Sequence, residues 1–149
     1  EGLRDMRKVI ERIDAPMPKN VVMQRKLTAL FGDTDLPIRK VFVCSPYAGC
    51  VKANVHNARM YSRFVFLCGC MPITPHLMYP RFLEDKDTKE RDAGIQMGLI
   101  LLDFCNEIWV FGQRISNGMR REIAFAESRG ILVRYFSDTC QEVIKRGRG

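Results

Sequence analysis

The chain has 149 residues, with 24 Lys+Arg against 17 Asp+Glu, 46% hydrophobic and 28% charged, a profile that excludes a disordered or fibrous chain and leaves room for one folded domain rather than two. No segment reaches the roughly 20 apolar residues that cross a bilayer, and Glu1-Gly2-Leu3-Arg4 lacks the apolar core of a signal peptide, so a soluble cytoplasmic protein with no membrane partner is expected. Much of the net charge of +7 lies in residues 4–12 and 145–148, and no basic stripe is interleaved with aromatics as a stacking platform requires, which argues against nucleic acid as the partner.

Residues 1–37 read as a helical extension. Leu3, Met6, Val9, Ile10 and Ile13 recur at helical spacing, Pro16 and Pro18 interrupt, and residues 21–31 resume a shorter helical pattern. Gly32-Asp33-Thr34-Asp35-Leu36-Pro37 is a loop, and the body of the protein begins at Ile38 and runs to Gly149. Short apolar runs rich in β-branched and aromatic residues predict buried strands at 40–44, 71–74, 107–111 and 131–136. Amphipathic stretches at 51–67, 89–105 and 119–128 predict helices between them. Strand and helix in alternation are the pattern of a parallel sheet with right-handed crossovers, so a three-layer α/β domain of the flavodoxin or Rossmann kind is expected.

The six cysteines, at 44, 50, 68, 70, 105 and 140, fall partly inside apolar runs, where a reduced thiol packs as a small hydrophobe. Cys68-Gly69-Cys70 is too tightly spaced for the usual zinc pair, and no other Cys/His pair completes a four-ligand set. No metal and no cofactor is expected.

Function in an open parallel sheet is sought in the loops that leave the C-terminal strand ends. After the third strand comes Ser116-Asn117-Gly118-Met119-Arg120-Arg121-Glu122. Ser116 or Asn117 can cap the third helix, Gly118 lets a ligand approach the backbone, and the amides of the first turn attract an anion, with Arg114 near enough to add a full charge. Glu122 follows Gly118 by four residues and leans back over it, which aims a carboxylate at the same mouth. After the first strand comes Ser45-Pro46-Tyr47-Ala48-Gly49, which leads into the helix that carries Asn54. A small hydroxyl and backbone amides there can hold a phosphate or ribose, although the same residues also make a good turn. His76 ends the second strand at this edge, whereas His56, on the first helix, is expected at the surface. Residues 77–91 form a long loop in which an aromatic such as Tyr79 or Phe82 could cover a ligand.

The run from Val41 to Phe136 resembles α/β proteins related to the nucleoside 2-deoxyribosyltransferases and the deoxynucleoside 5′-monophosphate N-glycosidases. The resemblance is carried by Val43-Cys44-Ser45-Pro46-Tyr47-Ala48-Gly49, Asn54, Pro75-His76, Cys105-Asn106-Glu107-Ile108-Trp109-Val110-Phe111-Gly112 and Ser116-Asn117-Gly118-Met119-Arg120-Arg121-Glu122-Ile123, and it covers about two thirds of the chain. It implies that Glu122 is the nucleophile that attacks the sugar C1′, and that Ser116 and Gly118 belong to the phosphate- or sugar-binding turn. Together with the loop positions above, it gives an expected substrate site of Ser45, Pro46, Tyr47, Gly49, Asn54, His76, Arg114, Ser116, Asn117, Gly118 and Met119, and it implies a nucleoside or nucleotide as small-molecule partner and a homo-oligomer. Those enzymes place an aspartate, the general acid, at the position held here by Gly98; Asp92 and Asp103 lie on the same helix at other spacings. A weaker resemblance, of Gly118 to Glu122, is to phosphoribohydrolases that release cytokinin bases. Three functions remain open at this point: cleavage or transfer of an N-glycosidic bond, a non-catalytic nucleotide-binding module that lacks the acid, and a basic protein associated with nucleic acid.

Overall fold

The computed structural model describes residues 38–144; the expected helical extension over 1–37 and the terminal residues 145–149 lie outside the described residues. The strands are β1 (Lys40–Cys44), β2 (Met71–Ile73), β3 (Glu107–Phe111) and β4 (Leu132–Phe136), and the helices are α1 (Val51–Leu67), α2 (Thr88–Asp103) and α3 (Asn117–Ser128). All strand pairs are parallel and the sheet order is β2-β1-β3-β4.

Alternation along the two central strands builds two cores. Val41 and Val43 of β1 and Trp109 and Phe111 of β3 face one side, where Tyr61 and Val65 of α1 pack on them. Phe42 and Cys44 face the other with Ile108 and Val110, covered by Leu102 of α2 and by Met119 and Ala126 of α3. The result is the expected three-layer α/β fold, with α1 on one face and α2 and α3 on the other. Aromatic packing fills the α1 side: Tyr61 stacks on Phe111 with centroids 4.3 Å apart, and Trp109 lies 4.7 Å from Phe136. No helix among the described residues is long and apolar enough to cross a membrane.

Where elements differ from the sequence reading, local chemistry explains the shift. α2 starts at Thr88 because the Asp87 side chain accepts from the backbone N–H of Lys89 (2.8 Å) and Glu90 (3.3 Å), an N-cap. The connection after β2, in which residues 77–91 are expected as a loop, carries one-turn 3₁₀ helices at Pro75–Leu77 and Tyr79–Arg81, each with a proline in its first turn, where the fixed φ suits the helix and the missing N–H has no partner to lose. α3 begins at Asn117 rather than Met119, since Ser116 is the cap. β2 is short and carries Pro72; β4 ends in a turn that brings Glu142 back to Phe136 as an antiparallel bridge. At the opposite end of the sheet from the loops of interest, the buried carboxylate of Glu107 is met by Arg39 at 3.2 Å and Arg134 at 3.9 Å.

Candidate active site

The chain leaves β1 toward β2 on one side and leaves β3 toward β4 on the other, so the sheet changes winding direction between β1 and β3. Beyond the C-terminal ends of such a strand pair the loops splay apart and leave a crevice. A cleft of about 1210 Å³ lies there, bordered by the 45–50 loop, the turn at 75–80, the inner face of α2 and the first turns of α1 and α3.

The β1 loop is held from within. Ser45 is 1% exposed, and its Oγ has no hydrogen-bond partner among the described residues, although it borders the cleft. His76 Nε2 lies 3.0 Å from the Ser45 carbonyl; because a carbonyl only accepts, Nε2 carries the proton of this bond. The His76 ring stacks on Tyr47 with centroids 5.1 Å apart, and burial lowers its pKa against a smaller opposing effect of the Ser45 bond, so the imidazole is held in its neutral form at pH 7. Pro46 borders the cleft as well. Gly49 has φ +96, the left-handed region, and so closes the turn where other residues would be strained. Asn54 also borders the cleft, but its side-chain NH₂ donates to the carbonyls of Tyr47 (2.9 Å) and Ala48 (3.0 Å), so its amide braces the loop.

The β3 loop leads into α3. Ser116 Oγ accepts from Met119 N at 3.3 Å while Ser116 N donates to Met119 Sδ at 3.5 Å, a reciprocal cap with sulfur in the place of the usual carboxamide or carboxylate. Met119 is 1% exposed and belongs to the core beneath α3, so this residue serves the cap and the packing as well as the cleft wall. Asn117 accepts from Arg120 Nη1 at 3.1 Å, and Gly118 and Arg114 border the opening, exposed. A Cβ at Gly118 would meet only Ser116 Oγ, at 3.9 Å, so the close approach that the sequence suggests is open here.

Glu122 lies one turn further along α3 and borders the same cleft; its Oε2 is enclosed with no hydrogen-bond partner among the described residues. Burial pushes its carboxyl up to about 7, against a hydrogen bond from the Cys44 thiol that works the other way. Cys44, the last residue of β1, is 0% exposed; burial first, and the neighbouring Glu122 second, raise its pKa well above the usual thiol range. The thiol therefore stays protonated. Sequence reading treats Cys44 as a packing residue, because only the contact of β1 with α3 shows which side chain it meets.

At the position where the resemblance implies an acid, Gly98 is buried in the middle of α2 and faces the cleft. Asp103 turns away to Arg129, at 3.4 Å, and Asp92 is exposed. Two carboxylates that the sequence reading did not place at the site do border it: Asp85, 3.5 Å from Arg91 Nε, and Glu90, which accepts from Glu84 N. Tyr79 borders the cleft as the long connection suggests, while Phe82 packs edge-on against it and is 64% exposed. No group of three or more His, Cys, Asp or Glu among the described residues could hold a metal ion.

Residues 39–136 match the family model described as Domain of unknown function (DUF7768). The chain belongs to that family. No curated protein sequence matches it. Among solved structures, this DUF7768 domain is similar to a 2-deoxyribosyltransferase from the psychrotolerant bacterium Bacillus psychrosaccharolyticus, with a TM-score of 0.57, 16% identity, and coverage of 71% of this chain and 77% of that one. At that identity the likeness shows a shared fold: the parallel sheet with its layered helices.

Proposed function

We propose that this DUF7768 domain binds a nucleoside or nucleotide in the cleft and cleaves or transfers its N-glycosidic bond, with Glu122 as nucleophile. The observation that carries the reading is a carboxylate at the cleft with an enclosed, unpartnered oxygen, in a chain that shares its fold with a 2-deoxyribosyltransferase. In the first step a Glu122 oxygen bonds to C1′ as the C1′–N bond breaks; the base leaves with the bonding pair and takes a proton. In the second, water or another base attacks C1′ and the ester opens, which restores the carboxylate. Neutral His76, Ser45 and Tyr47 line the cleft beside this path, and Arg114 at its border offers charge to a phosphate. The free thiols of Cys44, Cys50, Cys105 and Cys140 suit a cytoplasmic setting.

A second reading is favoured by Gly98: without a carboxylate there, the cleft is a nucleotide-binding module that does not turn over. Incubation with a panel of deoxynucleosides and their 5′-monophosphates, with and without a free acceptor base, separates the two. Free base marks hydrolysis and exchanged base marks transfer; binding without either, equal in Glu122→Gln, overturns the catalytic reading.

A further inference from the structure

Glycine inside a helix is unfavourable relative to alanine, so an interior glycine needs a compensating reason. In α2 two glycines, one turn apart, border the cleft, and only one has a reason within the protein. A Cβ at Gly94 would come 3.3 Å from Leu83 Cδ1, so its smallness is used by packing. A Cβ at Gly98 would meet only Pro75 Cγ, at 3.9 Å, an ordinary contact, and its backbone is not among the positive-φ positions. Neither neighbours nor backbone require a glycine at 98, yet the residue is buried and opens on the cleft.

We infer that Gly98 is a specificity-determining residue whose missing side chain deepens the cleft to accept a bicyclic, purine-sized ring in preference to a single ring. The inference rests on the nucleoside reading above and names the class of base. The walls beside the gap are the carbons of Pro75, Ile95 and Leu99, which suit the apolar face of a planar ring, and the stacked pair Tyr47–His76 borders the same space. A bicyclic ring that reaches the backbone at Gly98 gains dispersion contacts there that a single ring leaves unmade.

The test uses the full chain and deoxyadenosine and deoxycytidine 5′-monophosphates as probes, titrated in a calorimeter against wild type, Gly98→Ala and Gly98→Leu. Wild type should bind the purine about 10-fold more tightly, and Gly98→Leu should cancel that preference by weakening the purine while the pyrimidine changes less than about 3-fold. Gly98→Ala, which adds one methyl without a clash, should move the ratio in the same direction and raise Tm by a few degrees, so the inference can be read even if Gly98→Leu does not fold. A purine-to-pyrimidine ratio unchanged in either folded variant, or a lower Tm for Gly98→Ala, overturns it. Base release by wild type is measured separately: turnover with an unchanged ratio sinks only the ring-size inference, and a shifted ratio without turnover sinks only the cleavage.

Discussion

Glu122 and Cys44 come from distant parts of the chain and meet because the end of β1 lies under the first turns of α3. The carboxyl, raised by burial to about 7, is stabilised in its protonated form by the fold; that stabilisation is complete below its ordinary value of 4.5 and is lost as pH rises through about 7. A shift of this size corresponds to about 3 kcal/mol. Thermal melts should therefore show Tm falling between pH 5 and pH 8, and Glu122→Gln should flatten that slope and melt higher than wild type at pH 8; parallel slopes in the two proteins would mean that the carboxyl is solvated. The nucleophile must be ionised, so base release by wild type should rise with pH around a midpoint near 7, and Glu122→Gln should release none. The Cys44 thiol favours the ionised carboxylate. Cys44→Ala should move the midpoint of that pH profile upward, and an unmoved midpoint would reduce Cys44 to a packing residue.

At the scale of elements, the start of α3 is fixed by one serine. Ser116→Ala leaves Met119 N without its acceptor and should cost about 1 kcal/mol, read as a lower urea midpoint at unchanged m-value. The first turns of α1 and α3 both border the cleft, with Arg114 at the rim, so a deoxynucleoside 5′-monophosphate should bind on the order of 10- to 100-fold more tightly than its nucleoside. Equal affinities in a side-by-side titration would make the two loops structural turns. β1, β3 and α1 are legible in the sequence at their observed bounds, since Val41–Cys44 and Glu107–Phe111 are bounded apolar runs and α1 repeats its apolar residues at steps of three and four. The first residue of α2 is not, because Asp87 declares itself a cap only through its bonds to Lys89 and Glu90. Ser45, Tyr47, His76, Ser116 and Glu122 converge on one cleft as the loops of an α/β sheet lead one to expect. The brace made by Asn54, the sulfur cap of Met119 and the thiol beside Glu122 stay hidden, because each depends on which way a side chain turns rather than on where its residue falls in a pattern.

For the whole molecule we expect a homodimer or a larger assembly. Ile100 of α2 and Phe104, the residue that caps its C-terminus, are 58% and 69% exposed, apolar area that a second subunit would cover. A monomeric mass by light scattering at micromolar concentration would refute this. The edges of the sheet limit how such copies can join. Met71 N donates inward to Arg39 O at 2.8 Å, so the next residue, Pro72, stands where the backbone of β2 faces outward and offers no N–H to an incoming strand. On the far side the outward carbonyl of Tyr135 already accepts from Val143 N at 2.8 Å. One edge thus lacks a donor and the other has an acceptor occupied, so neither offers a continuous ladder for another chain to extend. Among the described residues, strand addition is thus obstructed at both sheet edges, which directs the meeting of two copies toward the exposed helix and loop surfaces.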